Sequence, residues 1–257
     1  MLLAIDIGNT AVKFGIFDKE KIRATWESAS DIRKTADEYA VLLISLFPRA
    51  GLNFTDVHHI VIGSVVPPLE RTFEELSQRY FDIAPLIVGV GVKTGVRISM
   101  DNPREVGADR VAHAVAAHRL YGGPVVVIDF GTATTFDAVS EEGDYLGGAI
   151  APGIRIAAEA LFERASKLPR IELVAPQHAI GKNTVAAMQS GVIFGYVGLI
   201  ESLVRRFKQE LGGKARVIAT GGLANVIAKE TKVVEAVDPN LTLVGLRFIH
   251  EMNRPEA

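Results

Sequence analysis

The sequence predicts an α/β protein written as two similar halves, and three observations predict it. "AIDIGNTAVKFGI" at 4–16 is written again as "VIDFGTATTFDAV" at 127–139, about half a chain length later. Each copy runs apolar residues into an Asp, an apolar residue, a Gly and a short polar residue, the pattern of strand, tight turn and second strand. Strand-like apolar runs also alternate with stretches of helical spacing, as in layered α/β architectures. Finally, "ATGGLAN" at 219–225 sets a further glycine turn between a strand run and a helix run.

The elements follow in order. Residues 2–17 read as two strands around a Gly-Asn turn, closed by the turn "FDKEK". Residues 34–49 have helical spacing. "HHIVIGSVVPP" is a buried-strand run stopped by Pro67 and Pro68, and "LERTFEELSQRY" is helical. "PLIVGVG" is a short strand. Asn102–Pro103 is a strong helix start, because Asn caps well and Pro suits the first helical position; that helix should run to about Tyr121. The second half opens with the strand pair "PVVVIDFGTATTFDAV" and the strand "YLGGAIAPG". A helix over 154–165 and a long or broken apolar helix beginning at "TVAAMQSG" come next. "ARVIATGG" is a strand, "LANVIAKE" a helix, and "LTLVGLRFIHEM" a closing helix. No low-complexity linker separates the halves, so the division falls near 117–123, giving 1–118 and 119–257.

Composition narrows the class. The 257 residues are 48% hydrophobic and 23% charged, enough apolar material for a sizeable core, with a formal net charge of −2. No Lys/Arg cluster points to nucleic acid or an anionic membrane, so small molecules or proteins are the expected partners. The absence of cysteine excludes disulfides, thiolate metal sites and a Cys nucleophile. The N-terminus reaches Asp6 too early for a secretion signal, and no stretch reads as a spanning helix. A soluble, cytoplasmic protein is the expectation.

The repeated Asp-x-Gly hairpins carry chemistry. Glycine lets backbone N–H groups approach a phosphate closely, and Asn9, Thr10, Thr132, Thr134 and Thr135 offer short polar donors. Asp6 suits hydrated Mg²⁺, which takes one or two carboxylates besides phosphate oxygens, and Lys13 could reach phosphate as a point charge. "GVGVKTG" at 89–95 lacks Gly-Lys-Thr in sequence and no helix follows, so it is no phosphate loop. The histidines, including His58–His59 and His113/His118, lack zinc spacing and read as surface or packing residues. Asp109–Arg110 follows Gly107 at a helix start, as either a surface ion pair or a carboxylate base beside a substrate-holding cation.

Together the two hairpins and the third glycine turn resemble the phosphate and adenosine motifs of the actin, sugar-kinase and heat-shock-ATPase superfamily. That resemblance implies ribonuclease-H-like α/β halves with a nucleotide cleft between them. "DIGNTAVKFG", "KTG" (93–95), "DNPREVGADR" (101–110), "DFGTATTFD" (129–137), "GGAIAPG" (147–153), "GKNTVAAMQSG" (181–191) and "ATGG" resemble, in order along nearly the whole chain, the type III pantothenate kinases.

The resemblance implies phosphorylation of the primary hydroxyl of pantothenate by ATP, the first step toward coenzyme A. It also implies a homodimer that uses Mg²⁺ with ATP and a monovalent cation, K⁺ or NH₄⁺. By position, Asp6, Ile7, Gly8, Asn9, Thr10, Ala11, Val12 and Lys13 would form the first ATP loop, and Thr132 would contact ATP from the second. Asp129 would help hold the monovalent cation. Asp109 matches the proton acceptor; Gly107, Ala108, Asp109 and Arg110 match the pantothenate loop; Thr184 matches a further substrate contact close to the dimer interface. Arg110 either pairs with the substrate carboxylate or holds Asp109 in place. The family commonly carries Tyr where this chain has Met100, a substitution that keeps apolar bulk and loses a ring and a hydroxyl. The alternatives are a non-catalytic regulatory paralogue of the same fold, another superfamily ATPase such as a filament or chaperone, and a kinase for a different small hydroxy acid.

Overall fold

A computed structural model describes residues 1–254. Its elements are β1 (Leu2–Ile7), β2 (Ala11–Asp18), β3 (Lys21–Ala29), α1 (Ala36–Leu46), β4 (His59–Ser64), α2 (Pro67–Phe81) and β5 (Leu86–Ile87). They continue with α3 (Ala108–Tyr121), β6 (Val125–Phe130), β7 (Ala133–Val139), β8 (Tyr145–Pro152), α4 (Ile154–Arg164) and α5 (Thr184–Glu210). The last are β9 (Arg216–Gly221), α6 (Ala224–Ala228), β10 (Ala236–Val237) and α7 (Leu241–Met252).

The repeat seen in the hairpins extends to both sheets. The first has strand order β3-β2-β1-β4-β5 and the second β10-β9-β6-β7-β8. In each, the strand carrying the motif Asp is central, antiparallel to the next strand in sequence and parallel to the strand beyond: β1 with β2 and β4, β6 with β7 and β9. Two α/β halves of matching topology are present, as expected.

The chain forms two compact units, one of Met1–Val96, Asp101–Ala116 and Leu241–Ala257, the other of Arg97–Met100 and Ala117–Asn240. The closing helix, grouped from the sequence with the second half, thus packs with the first. The reason is visible in β1, where Leu3, Ile5 and Ile7 enter the core beneath α1 and α2 while Leu2 and Ala4 are buried on the opposite face. A strand apolar on both faces needs a cover on each. α7 supplies the second, with Leu243 against Gly15 and Leu246 against Gly63. The first core is aromatic: Tyr39 and Phe14 both lie against Phe73, with centroids at 4.6 and 5.8 Å. Truncating a fully buried Phe of this kind costs about 3–5 kcal/mol. The second core sets Val126, Ile128, Phe130 and Phe136 against α4 and α5.

Three local expectations change. β3 pairs along β2, a strand additional to those expected; its sequence, KIRATWESA, alternates but spends one face on charged residues. The helix expected from Asn102 is interrupted. Pro103–Glu105 forms one 3₁₀ turn capped by Asn102, Val106 is extended, and α3 starts at Ala108. α5 is also long and apolar enough, by length and composition, to cross a membrane, contrary to the expectation of no such stretch. Its Val192, Ile193, Ile200 and Val204 instead line the second core.

Candidate active site

In the first unit, the β1–β2 ladder sets Asp6 directly opposite Lys13. Residues directly opposite in an antiparallel ladder share a face, so carboxylate and ammonium stand on one side of the hairpin. The turn is closed by Gly8 N–H donating to Ala11 O at 3.0 Å. Asn9 and Thr10 at its tip are exposed. Ile7 and Val12 are fully buried in the core, so only their backbone atoms border the turn. Behind the turn lies Ser30, whose hydroxyl donates to Gly8 O at 2.5 Å and whose N–H donates to Thr10 O at 3.0 Å. Sequence spacing gave no sign of this contact, which spans 22 positions.

The Asp109 segment adjoins the same strand ends. Val65, just beyond β4, donates its N–H to Ile7 O at 3.0 Å. A Cβ built on Gly107 would stand 3.0 Å from Val65 Cγ1 and 2.5 Å from Asp109 Oδ1. Asp109 lies in the first turn of α3 and accepts the Arg110 backbone N–H at 2.7 Å. Consecutive helical residues do not face each other, which argues against a simple ion pair between the two side chains. The break at Val106–Gly107 therefore has a use. It lets the chain turn so that a half-buried carboxylate comes to the end of the strand pair that carries Asp6.

In the second unit, Asp129 stands opposite Thr135 across the β6–β7 ladder and beside Thr220 of β9. Gly131 N–H donates to Ala133 O at 3.1 Å, leaving Thr132 exposed at the tip. Gly221, at φ +90°, ends β9 against the carboxylate: a methyl built there would lie 2.4 Å from Asp129 Oδ1 and 2.7 Å from the Phe130 backbone. Only glycine accepts both that φ and that approach. Gly153, which caps α4, lies so close that an added methyl would fall 2.1 Å from Thr132 O. The buried Thr135 hydroxyl has no hydrogen-bond partner. An orphaned hydroxyl sharing a ladder position with a carboxylate offers hard oxygen donors, the kind a hard cation takes.

The remaining site residues also fall in the second unit. Met100 is half-buried and follows a segment joined to β8, where Ser99 N–H donates to Tyr145 O at 2.8 Å. Thr184 opens α5, whose Asn183 cap accepts the Ala186 N–H at 2.9 Å. Thr184 edges a mainly apolar groove of about 520 Å³ between α4 and α5, lined by Ala157, Leu161, Met188, Val192 and Tyr196. Gly107–Arg110 belong to the first unit. Among the described residues, no group of three or more His, Asp or Glu side chains could hold a metal ion by itself.

Comparison with known proteins fits this arrangement. A conserved protein from Campylobacter jejuni, proposed as a Baf family transcriptional activator, shares the fold at TM-score 0.64 and 21% identity over 98% of each chain. The type III pantothenate kinase of Dehalococcoides mccartyi strain CBDB1 is 55% identical over 98% of this chain and 96% of its own. That of Moorella thermoacetica is 54% identical over 98% of this chain and 100% of its own. The type III pantothenate kinase family profile matches residues 2–206, and the chain belongs to that family of kinases.

Proposed function

We propose that the protein transfers the γ-phosphoryl group of ATP to the primary hydroxyl of pantothenate, giving 4'-phosphopantothenate and ADP on the route to coenzyme A. The observation that carries this reading is the meeting of Gly107 and Asp109 with the end of the strand pair that holds Asp6. A proton acceptor and a phosphate-binding turn are what phosphoryl transfer to an alcohol requires, since positioning and charge neutralisation do most of the catalysis.

Asp109 accepts the hydroxyl proton as the new P–O bond forms, a role worth about 10²–10⁴-fold. Lys13 and the Gly8–Ala11 backbone bind the phosphates, Thr132 contacts ATP from the second hairpin, and Gly107–Arg110 orient pantothenate with Met100 and Thr184. Mg²⁺ at Asp6 and K⁺ or NH₄⁺ at Asp129 and Thr135 would offset phosphate charge when bound. A cytoplasmic homodimer joined through α5 completes the reading. Exposed Ile156, Leu161, Phe162 and Val185 on α4 and α5 favour a covering partner, and sedimentation checks it: a monomer at micromolar concentration contradicts the dimer.

The test is ADP release with pantothenate, Mg²⁺-ATP and K⁺, run beside Asp109→Asn. Pantothenate-dependent turnover that falls about 10²–10⁴-fold in the variant is expected. Turnover surviving in the variant would reduce Asp109 to positioning. A folded wild type without turnover would favour the regulatory paralogue.

A further inference from the structure

We infer that Ser30 is a positioning residue for ATP, acting by fixing which way the peptide groups of the first hairpin turn point. This rests on the reading of that hairpin as a phosphate loop. Ser30 is the first residue after β3, and it satisfies two carbonyls of the turn at once: Gly8 O from its hydroxyl and Thr10 O from its N–H. A trans peptide is planar, with its C=O and N–H directed oppositely. Holding Gly8 O toward Ser30 therefore aims Asn9 N–H away from it, and holding Thr10 O does the same for Ala11 N–H. Two backbone donors are thereby presented on one side of the turn, the arrangement that receives an anion.

Ser30 is itself anchored. Its predecessor Ala29 pairs with Ala11 in the β2–β3 ladder. The hydroxyl of Tyr39, which is fully buried in the first core, lies 3.4 Å from Asp31 N and 3.5 Å from Ala29 O, on either side of Ser30. A path thus runs from core to turn through Tyr39, the backbone of Ala29 and Asp31 that flanks Ser30, and Ser30 to Gly8. The topologically equivalent residue of the second half, the first after β8, is Gly153. It approaches the Gly131–Thr132 carbonyls with no side chain. The hydroxyl is therefore particular to the hairpin that also carries Lys13.

The test measures Mg²⁺-ATP affinity by calorimetry without pantothenate, for the full chain, Ser30→Ala and Ser30→Thr, beside KM values for both substrates. Ser30→Ala should weaken ATP binding about 3- to 10-fold, the worth of one net hydrogen bond. Ser30→Thr, which keeps the hydroxyl, should restore most of it, and the pantothenate KM should stay within about twofold of wild type in both variants. Tyr39→Phe, which leaves Ser30 intact, should weaken ATP binding about twofold and is readable if Ser30→Ala does not fold. Unchanged ATP affinity in Ser30→Ala, or equal rises in both KM values, would overturn the inference. Wild type that binds ATP but does not phosphorylate pantothenate would sink the proposed substrate and leave Ser30 to be judged on ATP affinity. Wild type that does not bind ATP would sink both.

Discussion

The two motif hairpins share a ladder and differ in what stands across from the aspartate. In the first, Asp6 faces Lys13; in the second, Asp129 faces the neutral Thr135. Beyond the last ladder pair the first turn has four residues, Gly8 to Ala11, and the second three, Gly131 to Ala133. Their backing differs as well, a hydroxyl from Ser30 in one and the bare Cα atoms of Gly153 and Gly221 in the other. One backbone plan has thus been given two electrostatic characters. On the proposed reading the first hairpin brings its own cation, Lys13, to a phosphate, whereas the second sets a carboxylate beside a hydroxyl.

The largest expected effect lies at Lys13. Lys13→Met removes the cation and should lower kcat/KM for ATP about 10²–10³-fold, in the range of losing one preorganised donor to a developing charge; a loss below tenfold would erase the distinction between the hairpins. Next is Gly221→Ala, which forces a methyl against Asp129 and strains the backbone at φ +90°. It should destabilise the protein by about 1–3 kcal/mol and abolish the response to K⁺, as read by urea unfolding and by activity against K⁺ concentration. Thr135→Val should raise the K⁺ concentration for half-activation about 3- to 10-fold. Because the hydroxyl is buried without a partner, the same change should stabilise the cation-free protein by about 1 kcal/mol. Weaker K⁺ response without that stabilisation would place the hydroxyl's partner inside the protein.

The last prediction separates the halves by pH. His250 of α7 is buried with its ring 5.0 Å from His59. Burial foremost, then the positive Arg254 and His59, push its pKa down from 6.5 to about 4. The unfolded chain takes up that proton near 6.5 and the folded chain only near 4. Stability is therefore lost as pH falls through that window, and not above it. Hydrogen exchange at pH 5 should show α7 and β4 losing protection before β6 and β9. Simultaneous loss would mean the histidine pair does not set the acid limit of the first half.

Much of this was legible in the sequence where one residue type has one local meaning. The repeated Asp-x-Gly turns mark the two hairpins, and Pro67–Pro68 end the β4 run, although α2 takes in both prolines as its first turn. What escaped depends on contacts between distant residues. β3 was hidden because an edge strand spends one face on solvent, and its Lys21, Arg23, Glu27 run obscured Ile22, Ala24 and Trp26. The break between Asn102 and Ala108 was masked by helix-starting residues that serve only one 3₁₀ turn. Of the candidate site residues, Asp6, Asp109 and Asp129 stand in motifs that single them out in the sequence. Val65 and Ser30 were not, because a backbone relay and a single hydroxyl carry no spacing signature. The destination of the last helix was equally unreadable, since an amphipathic helix advertises an apolar face without naming the sheet that receives it.

That last helix has a consequence for the order in which the molecule assembles on the ribosome. The first sheet, including its Asp6 hairpin, emerges early, but one of its faces stays bare until Leu243 and Leu246 of α7 are made. Every residue of the second unit precedes Leu241 in the chain. Synthesis proceeds at about 5–20 residues per second, so the half translated first waits for seconds with Leu2, Ala4 and Gly63 facing water or a chaperone. The half translated second can close before it.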